Sequence, residues 1–187
     1  MAANFSDKRI ILGDREFSLY IPYEAIEESV ASLAERISHD YAGKPDPLFL
    51  GVLNGSFMFL SELVKCLDIP LEISFVKLAS YSGLKTSGSV SELIGLSSDV
   101  SGRHVVVVED IVDTGESIEY LVRSLMEHEP ASIEVATLLF KPESYDKTIP
   151  IKYKGFSIPN DFVVGFGMDY DQMGRNLRDI YTVVDGE

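Results

Sequence analysis

The segment Leu48-Phe49-Leu50-Gly51-Val52-Leu53 is an uninterrupted apolar run. A strand with one wet face alternates apolar and polar residues. A run without alternation reads as a strand buried on both faces, which is the habit of parallel sheets. His104-Val105-Val106-Val107-Val108 is the strongest strand in the chain. Each run leads through a turn into a helix-like segment. Asn54-Gly55-Ser56 precedes Phe57–Leu67. Asp110–Gly115 precedes Ser117–Glu129, where Ile118, Leu121, Val122 and Leu125 share one face and Pro130 is the stop. Leu71–Leu78 and Ile133–Phe140 read as further strands, and Phe162–Gly165 and Ile180–Val184 as shorter ones. This alternation predicts an α/β fold: a doubly wound, mainly parallel sheet flanked by helices, with right-handed crossovers.

Ahead of this pattern, Lys8–Leu12 and Glu16–Ile21 form a short amphipathic hairpin around Gly13-Asp14. A helix is expected from about Tyr23 to Tyr41, because Ile26, Val30, Leu33, Ala34 and Ile37 recur at three and four. Ser80–Ser91 is polar, rich in glycine and serine, and reads as a mobile loop. The 187 residues fit one domain. No stretch approaches the ~20 apolar residues of a membrane span, and the N-terminus lacks a cationic region followed by an apolar one, so neither a membrane nor a secretory route is expected. The formal net charge of −14, with no basic cluster denser than Lys152 and Lys154, argues against a nucleic-acid partner. The single cysteine, Cys66, excludes an internal disulfide and reads as a small core residue. A cytoplasmic, reducing location is the default.

In doubly wound sheets, ligands bind beyond the carboxyl ends of the strands. There the chain reads Val105–Ser117, VVVVEDIVDTGES. Backbone N–H groups around Thr114, Gly115 and Glu116, with the hydroxyls of Thr114 and Ser117, sit at a helix start, where a phosphate fits without a lysine. Gly115 permits close backbone approach. Glu109 and Asp110 are placed to accept hydrogen bonds from vicinal hydroxyls. A phosphate cradle beside diol acceptors describes a sugar phosphate. The plainer alternative is a solvated acidic loop with Thr114 as an ordinary helix cap.

Val107–Ser117 resembles the phosphoribosyl pyrophosphate motif of the type I phosphoribosyltransferases, most closely that of their hypoxanthine-guanine branch. The resemblance runs from about Tyr20 to Val184. Leu53-Asn54-Gly55 matches the family's pyrophosphate loop, with Asn54 where lysine is frequent. Ser80-Tyr81 matches the Ser-Tyr pair of its mobile lid. Glu116-Ser117 stands where Lys-Thr or Arg-Thr is common, so the Glu116 side chain is expected to point away from the phosphate. Lys141 matches the lysine that reads the purine 6-oxo group. Phe162 and Val163 match the segment that stacks on the base and reads its far edge. Asp169 matches a metal-associated aspartate, and Arg175 an arginine that contacts pyrophosphate. By themselves Lys141 reads as a surface lysine, Phe162 as a core residue, Asp169 as a turn acid and Arg175 as a partner of Asp171 or Asp179.

The resemblance implies a single domain over residues 1–187, with a core at about 23–150 and a small hood from the chain ends, about 1–22 and 151–187. It implies transfer of a 5-phosphoribosyl group from phosphoribosyl pyrophosphate to hypoxanthine or guanine, with Asp113 as base for the purine N7 proton and Ile111 lining the substrate site. It implies Mg2+ near Asp169, Glu109 and Asp110, and a homodimer or homotetramer. A xanthine preference, a non-catalytic nucleotide-sensing regulator on the same fold and a receiver-like signalling domain are the competing readings.

Overall fold

The structure is a computed structural model that describes residues 8–80, 90–96 and 98–184. Its elements in chain order are β1 (Arg9–Leu12), β2 (Arg15–Ile21), α1 (Tyr23–Tyr41), β3 (Leu48–Leu53), α2 (Phe57–Cys66), β4 (Glu72–Ser80), β5 (Val90–Ile94), β6 (His104–Val112), α3 (Glu116–Met126), β7 (Ser132–Phe140), β8 (Tyr153–Ser157), β9 (Val163–Val164) and β10 (Ile180–Val183). The larger sheet has the order β5-β4-β3-β6-β7-β8. All its neighbours pair in parallel except β5, an antiparallel edge.

The apolar runs lie at its centre. Leu48, Phe49 and Leu50 of β3 stand opposite Val105, Val106 and Val107 of β6. Successive side chains point to opposite faces, so each run feeds two cores. Phe49, Val106 and Val108 pack beneath Ile26, Val30, Leu33 and Ile37 of α1 and Phe59, Leu60 and Leu63 of α2. Leu48, Leu50, Val105 and Val107 pack beneath Ile118, Leu121 and Leu125 of α3. Removing such a side chain from water stabilises by roughly 1.5–3 kcal/mol. Helices on both faces make the sheet doubly wound, as the alternation predicts.

The smaller sheet, β1-β2-β10-β9, is antiparallel and joins the two ends of the chain. Asp179 ties it to the core. Its carboxylate accepts the Tyr23 backbone N–H at the start of α1, at 2.9 Å, and also takes the Lys8 ammonium and the Tyr181 hydroxyl. Pro22, at the cap position, has no capping side chain, so Asp179 satisfies a free donor of that helix.

Four expectations need correction. The hood does not begin near residue 151, because β8 is the outer strand of the large sheet, with Ala136 opposite Tyr153. Tyr153 is buried against the α1 side and donates to Asp40 at 2.8 Å. The loop expected from Asp110 begins later, because Ile111 and Val112 stay paired with Leu139 and Phe140. Val90 and Ser91, taken as loop, belong to β5. Cys66 is exposed: it is the last residue of α2, and Leu67 and Ile69 take the core contacts beyond Leu63.

Candidate active site

Because β6 runs on to Val112, Glu109 and Asp110 are consecutive strand residues. They address different spaces. Glu109 lines a cavity of about 150 Å³ together with Thr114, Gly115, Glu116 and Ser117. Asp110 lines a second, of about 240 Å³, with Lys141, Phe162, Val163, Met168 and Asp169. Ile111 and Asp113 line both, so the two cavities adjoin there. The two acids, expected to grip one diol as a pair, line adjoining cavities, and the Asp110 charge is felt at the Glu109 carboxyl. Glu116 borders the first cavity and is exposed.

The first cavity ends on α3. Its cap residue is Gly115, not Thr114, at φ +84°, and no side chain caps the helix. The first-turn N–H groups therefore lack a side-chain acceptor, and the positive end of the helix favours an anion. Gly115 is required twice over. Its φ lies in the left-handed region, and an added Cβ would lie 2.4 Å from the Tyr145 ring and 2.9 Å from Cγ of Lys147. Tyr145 is itself fixed, with its hydroxyl donating to the Ile149 carbonyl and its ring edge-on to Phe140.

In the second cavity Lys141 is only 8% exposed. Its backbone N–H donates to the Val112 carbonyl at 2.9 Å, fixing the end of β7 beside the end of β6. Its ammonium lies 2.7 Å from Oδ2 of Asp113. Phe162 is 44% exposed, held edge-on by Tyr170 with centroids 5.9 Å apart, so it is not the core residue that composition alone suggested. Val163 is buried in β9.

The acids are held away from water without full compensation. Burial, reinforced by the neighbouring Asp110 charge, pushes the Glu109 carboxyl well above its ordinary range, and its buried Oε2 has no hydrogen-bond partner. Burial pushes Asp110 up to about 6, against the Ile111 N–H and the Arg175 charge. An orphaned buried acceptor beside a protonatable acid is an arrangement that awaits a ligand.

Asp169 lines the second cavity and is taken up by Arg175, at 2.6 Å, and by the Gln172 N–H, at 2.8 Å. Arg175 pairs with this acid, not with Asp171 or Asp179, and also donates to the Gly167 carbonyl at 2.9 Å. Leu53 and Asn54 line neither cavity, and the peptide between them is cis. Gly55 does reach the site: a Cβ there would fall 1.6 Å from Oδ2 of Asp110. On its other side, a Cβ on Gly167 would fall 2.0 Å from the Gly55 carbonyl oxygen. Of the expected lid pair, Ser80 ends β4 and Tyr81 lies outside the described residues.

Sequence reading missed Gly167, Met168, Tyr145 and Lys147. The string Gly165-Phe166-Gly167, in which φ is positive at all three residues, was the available signal for a tight backbone approach. Nothing local marks Tyr145 or Lys147, whose partners lie on α3.

An anion cradle at a strand-to-helix turn thus adjoins, through shared residues, a cavity with one lysine and one exposed aromatic. The chain belongs to the phosphoribosyl transferase domain family, whose model matches residues 22–171. It is 46% identical over 155 residues to the hypoxanthine-guanine phosphoribosyltransferase of Lactococcus lactis, covering 82% of this chain and 84% of that one. It is 39% identical over 172 residues to the enzyme of the same name from Mycobacterium tuberculosis, covering 89% and 85%. Among solved structures, the hypoxanthine phosphoribosyltransferase of Staphylococcus aureus superposes with a TM-score of 0.84 at 35% identity, over 89% of this chain and 91% of that one. The hypoxanthine-guanine phosphoribosyltransferase of Bacillus anthracis gives 0.82 at 34%, over 89% and 96%.

Proposed function

We propose that this chain is a purine-salvage enzyme. It transfers the 5-phosphoribosyl group from phosphoribosyl pyrophosphate to hypoxanthine or guanine, forming IMP or GMP and releasing pyrophosphate. The observation that carries the reading is the position of Asp113 at the junction of an anion cavity and a base cavity, 2.7 Å from the Lys141 ammonium.

In this reading the N–H groups at the start of α3, with the hydroxyls of Thr114 and Ser117, hold the 5-phosphate. The base lies against Phe162 beside Val163, and Ile111 closes the space between base and sugar. A 6-oxopurine carries O6 and N7 on neighbouring positions of one edge. The adjoining Lys141 and Asp113 match them as donor and acceptor. Lys141 donates to O6, and Asp113 takes the N7 proton as the glycosidic bond forms at the ring's other nitrogen. Adenine would present an amino donor to the Lys141 donor, a mismatch that discriminates strongly. Charge develops on the ribose ring, which turns cationic, and on the leaving pyrophosphate. Glu109 and Asp110 stabilise the ring and hold its hydroxyls, and Arg175 supplies a cation to the pyrophosphate beyond Leu53-Asn54-Gly55. Ser80 and Tyr81 begin the segment that excludes water during transfer.

The residues also fit Mg2+. Glu109, Asp110 and Asp169 offer hard oxygen ligands, and the buried Oε2 of Glu109 lacks a partner. Among the described residues no three acidic, histidine or cysteine side chains stand close enough together to hold a metal ion by themselves. Glu109, Asp110 and Asp169 would therefore hold the ion together with substrate oxygens and water. Bound magnesium supplies countercharge to the leaving pyrophosphate. A homodimer or homotetramer is proposed as well. It is supported by apolar side chains left exposed, Ile73 and Phe75 two residues apart on β4 and Phe57 on α2, and is measured by light scattering on the purified chain. The cytoplasm is the proposed location, since reducing conditions suit an exposed lone thiol.

The test is incubation with Mg2+, phosphoribosyl pyrophosphate and each of hypoxanthine, guanine, xanthine and adenine. Mononucleotide is expected from hypoxanthine and guanine and almost none from adenine. No product with any base refutes the reading.

A further inference from the structure

The anion cavity is short of positive charge. The segment Asp113-Thr114-Gly115-Glu116-Ser117 contains two carboxylates and no cation. Glu119 adds a third carboxylate on the first turn of α3. Lys141 is committed to Asp113 at the base side. Backbone N–H groups and the neutral hydroxyls of Thr114 and Ser117 must then hold a doubly charged phosphate against these acids. Helix ends contribute about half an elementary charge, which does not balance two.

One cation stands close, and it comes from the loop after β7, more than two dozen residues downstream of the motif. The stem of Lys147 lies against Gly115, its Cγ 2.9 Å from where a Cβ would be. The side chain is only 18% exposed, so its course is defined by packing. Its ammonium sits 2.8 Å from Oδ1 of Asp146 and 3.8 Å from Oε2 of Glu119. Both neighbours, and Glu116 beyond them, favour its charged form. The stem lies at the cap residue, and the ammonium lies beside the first turn of α3, 3.8 Å from Oε2 of Glu119. Asp146 is 70% exposed and releases it at little cost.

We propose that Lys147 is a phosphate-binding residue of this site, supplying in trans to the motif the cation that Glu116 displaces from it. The inference rests on the functional reading above, in that the anion is the 5-phosphate of the sugar. Lys147 touches neither the base nor the breaking bond. Its loss therefore acts on sugar-phosphate affinity and spares the remaining steps.

The experiment measures ribose 5-phosphate affinity by calorimetry, and KM for each substrate and kcat, in the parent and in two variants. Lys147→Met keeps the stem against Gly115 and removes the charge. Lys147→Arg keeps the charge. A charged hydrogen bond to phosphate predicts about tenfold weaker ribose 5-phosphate binding and about a tenfold higher KM for phosphoribosyl pyrophosphate in Lys147→Met. KM for the base and kcat change less than threefold, and Lys147→Arg restores affinity to within threefold of the parent. Affinity within twofold of the parent in Lys147→Met overturns the proposal. So does failure of the arginine to restore it, which would assign the effect to packing. Lys147→Gln replaces the methionine variant if that one does not fold. A parent that binds ribose 5-phosphate but transfers it to no 6-oxopurine defeats the functional reading while Lys147 is still tested. A parent that binds no ribose 5-phosphate overturns both.

Discussion

Replacing Gly55 with alanine tests how tightly the site is assembled. Gly55 has no positive φ, so alanine suits its backbone. Elsewhere such a change stabilises by roughly 0.4–1 kcal/mol through the unfolded chain. Here the new methyl would lie 1.6 Å from Oδ2 and 2.4 Å from Cγ of Asp110. Gly55 cannot retreat, because its carbonyl is already packed on the Gly167 backbone. The carboxyl of Asp110 must therefore swing away, and only 9% of that residue is exposed to accept it. Overpacking of this kind costs about 1–3 kcal/mol, which lowers the melting temperature and leaves the chain folded. Catalysis suffers more. A displacement of an ångström or more in a group that orients substrate reduces turnover by roughly 10²-fold. The assay is kcat/KM for phosphoribosyl pyrophosphate with hypoxanthine, alongside thermal unfolding. A folded Gly55→Ala protein that keeps kcat/KM within threefold of the parent would show that Asp110 is not held where the reaction needs it.

Asp113→Asn is expected to lower kcat by at least about 10²-fold while ribose 5-phosphate affinity changes less than threefold, because a general base contributes to turnover; lost binding with intact turnover would remove its role as base. Asp110 carries a pH signature. Its folded-state pKa is raised from 3.8 to about 6, so the native state binds the proton more tightly than the unfolded chain. The burial penalty is absent below about pH 4, grows between 4 and 6, and is complete above 6. The stability of Asp110→Asn relative to the parent should therefore increase by about 3 kcal/mol across that window, and urea titrations that give a flat difference would contradict it. Asp179 is lowered instead. Burial pushes it up, but Lys8, the Tyr23 N–H and Tyr181 outweigh that. Its contribution is present above its unfolded pKa and lost as acid protonates it. Asp179→Ala should cost about 2–4 kcal/mol at pH 7 and progressively less as the pH falls below the unfolded value, read from chemical unfolding; a cost that does not change with pH would mean that the charge does not matter.

Much of the α/β pattern was legible because it is written in short-range periodicity. The stripe in Tyr23–Tyr41 matches α1 from end to end, and the all-apolar runs became the central strands β3 and β6. The motif was legible for a related reason. The groups it presents at the start of α3 are backbone N–H, and their direction follows from the local conformation at Gly115. What failed was whatever depends on a partner far along the chain. The segment YKGFS of β8 has one strongly buried side chain, Tyr153, and that burial comes from α1 more than a hundred residues earlier. Cys66 looked like core because its helix carries a buried stripe, yet the stripe stops at Leu63.

By itself, then, the sequence determined most of the helices and strands, though not β5 or β8, that the central strands are covered on both faces, and which turn leads from β6 into α3. Tertiary structure alone decided that Glu109 and Asp110 serve different cavities, that Gly55 is wedged between Asp110 and Gly167, that Arg175 pairs with Asp169, and that Lys147 lies over Gly115. The reason is the range of the forces involved. Backbone geometry repeats every few residues and leaves its period in the sequence. Steric contact and ion pairing act over a few ångströms of space, and only the folded chain decides which distant residues meet at that distance.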